Sequence, residues 1–353
     1  MRTIYYSNCP VPNAFLLAVK KFGGEFEARG LRFDLLPPDQ SATHFAFDHP
    51  GYSRFGGEIP PLLSEAVRRP GATRLIGLTR CHSRQGLLVR VDSELRTPED
   101  LRGRHIGITA NGRAMLDRTT ARLDSDDPWD TTQRALGTWE ARGLLSTLAA
   151  GGLTLDDISL VEVRNPWAAH RKSDAEASKS FAPSDLFPDA TSPAGNPQLR
   201  ALNAGEVDAV FSFLPYLAQS EQDGWGRLLF DLAEDPMNDY VSTWTVSAAL
   251  LDDAPEVVQA AVDVVVQAAR WARQQPGAAR QLHAENFGVS EAAVSAALGQ
   301  QFHLGLEPLL DDTHLEQLDR TQAFLVSRGI LPQPVDLNAW VAPEFLARNG
   351  SPA

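Results

Sequence analysis

Cysteine is scarce in this chain: Cys9 and Cys81 are the only two in 353 residues. That is too few for a disulfide framework, and in a reducing compartment the two are a poor pair for a bond. No stretch of about 18 consecutive apolar residues occurs, which excludes a membrane-spanning helix. The start, Met1-Arg2-Thr3-Ile4-Tyr5-Tyr6, lacks the apolar segment of a secretory signal and points to the cytoplasm. Positive charge is the minority, with 32 Lys and Arg against 45 Asp and Glu and a net charge of -13. Such a field repels nucleic acid and anionic membranes, so neither is an expected partner. A Gly-rich Walker run, a GxGxxG after a strand and a GxSxG elbow are all missing, and the common nucleotide-binding and hydrolase classes fall away. The 8 histidines form no HExxH pattern and no CxxC accompanies them. No metal site is therefore expected, and His82, His105, His170, His283, His303 and His314 read as surface or structural residues.

What is present is an alternation of short β-branched or apolar runs with helical patterns. Strands are predicted at 3–6, 32–36, 43–47 and 74–78, with helices at 14–21 and 61–69 between them. A second α/β unit follows Thr97-Pro98-Glu99-Asp100, a capping-box-like start with Pro at the first helical position. It takes in strands at 105–108, 159–163, 209–213 and 227–231 and helices at 131–148 and 198–204. After Ser242-Thr243-Trp244-Thr245-Val246-Ser247 the chain turns helical, with apolar stripes at 255–273, 278–286, 291–298 and 313–327. Residues 164–197 form a polar stretch rich in Ser and Pro, longer than an ordinary connection and a candidate lid.

The run from Arg96 through Gly103-Arg104-His105-Ile106-Gly107-Ile108, with Leu202-Asn203-Ala204-Gly205-Glu206-Val207-Asp208-Ala209-Val210 later, resembles the periplasmic-binding-protein (type II) architecture. The resemblance implies two α/β lobes around a ligand cleft: 1–107 with 240–353 as lobe I, and 108–239 as lobe II. It leaves a solute-binding protein without catalysis open as an alternative, since the fold alone does not set function.

Two segments carry chemistry. Cys9 ends a predicted strand ahead of Pro10 and Pro12, at a strand-to-helix corner where a helix N-terminus and donors from Ser7 and Asn8 favour thiolate. A free cysteine is equally a common buried core residue. The second segment runs from Thr43-His44-Phe45 to Arg54-Phe55-Gly56-Gly57-Glu58-Ile59-Pro60-Pro61. Arg54 can hold a carboxylate or a similar oxyanion such as a sulfinate through two parallel charge-assisted hydrogen bonds, and Gly56 and Gly57 let backbone amides approach an oxyanion. By itself an Arg-x-Gly-Gly is a surface arginine before a turn, and His44 or His49 alone is a structural histidine. Clustering within nineteen residues is what marks the segment.

These residues are similar to those of a specific family, the 2'-hydroxybiphenyl-2-sulfinate desulfinases, which complete dibenzothiophene desulfurization. The likeness lies in Tyr6-Ser7-Asn8-Cys9-Pro10-Val11-Pro12-Asn13-Ala14 and Arg54-Phe55-Gly56-Gly57-Glu58-Ile59-Pro60-Pro61-Leu62-Leu63-Ser64-Glu65. It recurs in Ala135-Leu136-Gly137-Thr138-Trp139-Glu140-Ala141-Arg142, in Asp185-Leu186-Phe187-Pro188-Asp189, in Ser242-Thr243-Trp244-Thr245-Val246-Ser247 and in Ala342-Pro343-Glu344-Phe345-Leu346. It implies that Cys9 is the essential thiol, His44 its partner, and Arg54 with Gly57 the sulfinate clamp. Ser7 and Gly56 complete the substrate contacts, and Phe45, Trp139 and Phe187 touch the rings, a task suited to aromatic side chains. No metal or organic cofactor is implied, and the expected partner is a small aryl sulfinate bound by a monomer. Residues 111–127 and 164–184 match the family poorly, which bears on which sulfinate fits. Cys81 and His49 receive no role.

Overall fold

A computed structural model describes residues 1–8, 11–35, 51–55, 63, 66–67, 69–116, 137–163, 190–238 and 240–349, with the backbone alone for Ser7, Asn8, Leu35, Tyr52, Arg54, Phe55 and Tyr240. Its strands, in chain order, are β1 (Arg2–Asn8), β2 (Leu31–Leu35), β3 (Tyr52–Phe55), β4 (Thr73–Cys81), β5 (Gln85–Val89), β6 (His105–Thr109), β7 (Ser159–Val163), β8 (Ala209–Phe213), β9 (Arg227–Leu228) and β10 (Tyr240–Ser247). They form two five-stranded sheets, ordered β2-β1-β3-β10-β4 and β7-β6-β8-β5-β9.

The two sheets share one plan. In each, a parallel trio begins the sheet, and the fourth strand runs antiparallel to its neighbours. That fourth strand is the first one laid down after the chain changes sheet: β5 on entering the second, β10 on returning to the first. This is a two-lobed α/β fold, as expected, although the first crossing is not where the sequence placed it. Residue 107 lies inside β6, which pairs in parallel with β7 and β8, and β5 already pairs with β8. Sheet membership therefore changes between Cys81 and Gln85. The turn signal that suggested the later boundary is real but local. Asp100 Oδ2 accepts from the Thr97 amide at 2.9 Å, closing a capping box on the single 3-10 turn Pro98–Leu101 that leads into β6.

Among the described residues the helices of six or more residues are α1 (Ala14–Ala28), α2 (Ala110–Leu116), α3 (Thr138–Ala150), α4 (Pro197–Ala204), α5 (Leu214–Gln222), α6 (Ala248–Asp253), α7 (Pro255–Gln274), α8 (Pro276–Phe287), α9 (Glu291–Leu298) and α10 (Asp312–Ser327). The apolar stripe of α7 buries Val257, Val258, Val262, Val265 and Val266, and α1 packs on it with Phe15, Leu17 and Ala18 in the core. Burying each such valine is worth roughly 1.5–3 kcal/mol relative to leaving it in water. Predicted strands 159–163 and 209–213 and predicted helix 291–298 match β7, β8 and α9 residue for residue. Strand 43–47 lies outside the described residues, as does most of helix 61–69.

Helices of the second lobe reach across to the first. Ser290, the N-cap of α9, donates its amide to Gln219 Oε1 at 2.8 Å and its hydroxyl to Gln222 Oε1 at 2.9 Å, both on α5. The rings of Tyr216 and Phe287 meet edge to face at 5.7 Å on the same side. Arg84, just past β4, bonds Glu221 at 2.7 Å and Asp231 at 3.0 Å. At the start of α5 the chain turns through Leu214, which holds φ 57°, a left-handed conformation that costs a non-glycine residue about 1–2 kcal/mol. Its side chain is buried in the main hydrophobic core, so packing there maintains the turn.

Candidate active site

Parallel pairing of β1 with β3 sets the first wall of the site. Tyr6 lies opposite Ser53, Ser7 opposite Arg54 and Asn8 opposite Phe55, so both strands end at the same carboxyl edge. In open α/β sheets that edge is where ligands bind. The chain leaves β1 toward Cys9 and leaves β3 toward Gly56-Gly57. Cys9, His44, Phe45, Gly56, Gly57 and Phe187 lie outside the described residues, as does 164–189 of the candidate lid. Of the nine residues expected in the site, the structure thus brings Ser7 and Arg54 together as backbone neighbours and places Trp139 in the other lobe.

The wall has a firm backing. Beyond β3 runs β10, with Thr245 opposite Arg54 and Trp244 opposite Phe55. Ser53 is buried beneath them, donating to the Thr245 carbonyl at 3.4 Å and accepting from Trp244 Nε1 at 3.1 Å. Tyr6 packs edge to face on Phe15 and Phe33; burial, helped by the charge of Asp34, pushes its phenol up to about 12, so it stays neutral. Where α1 opens, Asn13 caps it by accepting from the Leu16 amide at 3.0 Å. His283 of α8 lies under that cap. Its Nδ1 bonds the Ala279 carbonyl at 2.8 Å and the ring also meets the Asn13 backbone, while complete burial drives its pKa down to about 4. This histidine is neutral and structural.

Lobe II contributes the first turn of α3. Glu140 is buried there, and its carboxyl accepts from the Thr109 amide at 3.1 Å, the Thr109 hydroxyl at 2.5 Å and Gln198 Nε2 at 2.9 Å. Thr109 is the last residue of β6 and Gln198 lies in the first turn of α4, so one carboxyl knots three elements at a strand's carboxyl end. Burial raises its pKa to about 7, against the pull of those donors. Two glycines make room for the knot. A Cβ on Gly112 would stand 2.1 Å from Glu140 Oε2, and one on Gly137 would stand 2.3 Å from the Asn111 carbonyl.

Trp139 precedes Glu140 and is buried, 2% exposed. The guanidinium of Arg142 stacks 4.9 Å from its ring centroid, lies 5.6 Å from Phe324 and donates from Nη1 to Thr321 Oγ1 at 3.1 Å. Arg142 is itself only 2% exposed. Neither Glu140 nor Arg142 belongs to a motif that marks it in the sequence, although both sit in the Ala135 to Arg142 string. The available signal was spacing: Trp139 and Arg142 are three apart, hence on one helix face.

Cys81 ends β4 in a buried position beside a cavity of about 520 Å³, whose lining includes Pro12, Arg80, His82, Leu298 and Phe302. Among the described residues no group of three or more His, Cys, Asp or Glu side chains gathers as a metal site, and no helix is long and apolar enough to cross a membrane. His283, His303 and His314 are buried and His82 and His105 exposed. His170 lies outside the described residues.

No protein-family model matches the chain. It is 44% identical over 344 residues to the 2'-hydroxybiphenyl-2-sulfinate desulfinase of Rhodococcus erythropolis, covering 98% of this chain and 92% of the relative. The same enzyme of Rhodococcus qingshengii gives the same identity and coverage. Among solved structures, a cysteine-to-serine mutant of DszB in complex with biphenyl-2-sulfinic acid superposes with a TM-score of 0.88 at 43% identity, covering 98% of both chains. The desulfurization enzyme DszB without that change gives 0.87 at 44%, covering 99% of this chain and 98% of the other. A sulfonate-binding protein, SsuA of Methylobacillus flagellatus, gives 0.66 at 17% identity, covering 99% and 93%, a likeness of fold alone.

Proposed function

The chain belongs to the 2'-hydroxybiphenyl-2-sulfinate desulfinases, and from that membership we infer that it is an enzyme cleaving the carbon-sulfur bond of 2'-hydroxybiphenyl-2-sulfinate or a close hydroxyaryl sulfinate. The observation that carries this is 44% identity sustained over 98% of the chain. The reaction proposed is hydrolytic: sulfinate and water give 2-hydroxybiphenyl and hydrogen sulfite, so the ring carbon gains a proton and sulfur gains the hydroxyl.

Cys9 is assigned the central chemistry, His44 the control of its proton, and Arg54 with the Gly56 and Gly57 amides the neutralisation of the sulfinate. Phe45, Trp139 and Phe187 are assigned to the rings. The adjacency of Ser7 and Arg54 at one sheet edge supports this division, since it sets the start of the cysteine corner beside the arginine. That a cysteine-to-serine mutant of DszB was crystallised holding biphenyl-2-sulfinic acid fits a cysteine needed for turnover rather than for binding. Two routes satisfy the same residues. Either the Cys9 thiolate attacks sulfur, the carbon-sulfur bond breaks as the ring carbon takes a proton, and water then releases hydrogen sulfite from the sulfur-sulfur bond, or the Cys9 thiol protonates the ring carbon while sulfur dioxide leaves to water. Electrostatics favours the second, because an anion attacking an anionic sulfinate is opposed by charge. A Cys9 Sγ–SO2 adduct, left on the enzyme after the ring has departed, would reverse that preference if trapped during turnover. The enzyme is proposed to work in the cytoplasm as a monomer without metal or organic cofactor.

The test is incubation of the protein with 2'-hydroxybiphenyl-2-sulfinate and assay of both products. Sulfite and 2-hydroxybiphenyl are expected in equal amounts. Tight binding with no sulfite would point instead to a binding protein for an organosulfur anion.

A further inference from the structure

Arg142 is the largest fully buried side chain among the described residues, and it sits on the boundary between the lobes. It springs from α3 of lobe II. Its Nη1 donates to Thr321 Oγ1 at 3.1 Å, and Thr321 and Phe324 both belong to α10, which packs on β4 and β10 of lobe I. The guanidinium carbon lies over the Trp139 ring, 4.9 Å from its centroid. A planar, weakly hydrated guanidinium suits such stacking between aromatic rings, which an ammonium cannot reproduce. Thr321 is completely buried and its hydroxyl donates in turn to the Gln317 carbonyl at 3.1 Å, so the acceptor is fixed within its own helix. Below, Glu140 anchors the same turn of α3 to β6 and α4. The indole of Trp139 is thus held by a residue whose own position depends on lobe I.

We propose that Arg142 is a positioning residue for the ring-contacting side of the cleft, fixing the Trp139 indole and making that setting depend on the seating of lobe II against lobe I. The proposal rests on the reading that this cleft receives an aryl sulfinate and that Trp139 meets its rings. Arg142 acts through Trp139 and takes no part in the bond-breaking step. Its removal therefore loosens substrate binding and leaves the chemical step nearly as it was.

The experiment is a double-mutant cycle on sulfite release from 2'-hydroxybiphenyl-2-sulfinate, using Arg142→Lys, Thr321→Val and the pair. Each single change is expected to raise KM about tenfold, with kcat held within about twofold, the scale of one lost buried hydrogen bond to a charged group. In the pair, the rise in KM should not exceed that of Arg142→Lys alone, because both changes cut one link. Additive effects, or folded single variants with unchanged KM, would overturn the proposal. Should Arg142→Lys fail to fold, Thr321→Val decides, since it keeps the guanidinium and the stack; an unchanged KM there rejects the link. If the unmodified protein releases no sulfite, the functional reading falls, and the same cycle is read from the Kd of biphenyl-2-sulfinate by tryptophan fluorescence. Absence of any binding by the unmodified protein rejects the positioning role as well.

Discussion

Ser7 and Arg54 are neighbours across the parallel pairing of β1 and β3, one step before both strands end. In sequence they are 47 positions apart, and only the fold makes them adjacent. The strand ending beside Arg54 is the one that runs on toward Cys9. Arg54→Lys keeps the charge and loses the planar fork that matches two sulfinate oxygens. KM for 2'-hydroxybiphenyl-2-sulfinate should rise about tenfold or more, with thermal stability little changed, as steady-state sulfite release measures. An unchanged KM would remove Arg54 from the clamp.

Glu140 makes the stability of lobe II sensitive to pH. Its folded pKa is raised to about 7 from an ordinary 4.5 by burial. The protonated form is favoured on folding, so the contribution is complete below pH 4.5 and is lost as pH rises through about 7. Across that window the unmodified protein should lose about 3 kcal/mol more than Glu140→Gln. Urea unfolding at a series of pH values measures it; parallel curves for the two proteins would mean that the carboxyl is ionised throughout.

His283 acts with the opposite sign on the acid side. Its pKa is lowered to about 4 from 6.5 by burial, so its stabilising contribution is present above pH 6.5 and is lost as pH falls through about 4. His283→Gln should be less stable near neutrality, because it disturbs the Ala279 and Asn13 contacts. It should also show a flatter acid decline, by about 3 kcal/mol over the same interval. A decline as steep as that of the unmodified protein would assign the acid sensitivity to other groups.

Glycine at 137 is required by backbone, not by conformation. An added Cβ would meet the Asn111 carbonyl carbon and oxygen at 2.3 Å and the Gly112 nitrogen at 2.6 Å, atoms that cannot swing aside. Gly137→Ala should cost about 2–4 kcal/mol, seen as a lower Tm in calorimetry. Gly277 in α8, with nothing within 4 Å of its added Cβ, is the matched control. Gly277→Ala should leave Tm unchanged or raise it, since alanine favours helix by up to about 1 kcal/mol.

Much of the architecture could be read from residue order, for reasons that particular elements make plain. β7 and β8 were located because Ser159 to Val163 and Ala209 to Phe213 are β-rich runs between turn signals. The strand β5 carries no such signal: Gln85-Gly86-Leu87-Leu88-Val89 is buried throughout and lacks the alternation that marks a half-exposed strand. Missing it moved the lobe boundary from the 81–85 link to 107. Helix α5 was missed as well, since it begins directly off β8 through Leu214, with neither polar cap nor glycine to announce it. For the site, spacing alone left Cys9 and Arg54 as a plausible thiol and a plausible anion anchor, and the family likeness supplied their roles. Arg142 and Thr321 were invisible because their contact spans 179 residues and a lobe boundary, and charged residues are ordinarily expected at the surface.

The most direct measurement of the central claim pairs turnover with binding in Cys9→Ser. Sulfite release from 2'-hydroxybiphenyl-2-sulfinate should fall to background, by about a thousandfold or more, while biphenyl-2-sulfinate still binds with nearly the affinity of the unmodified protein. Sulfite release at the full rate in Cys9→Ser would contradict a cysteine-dependent desulfinase.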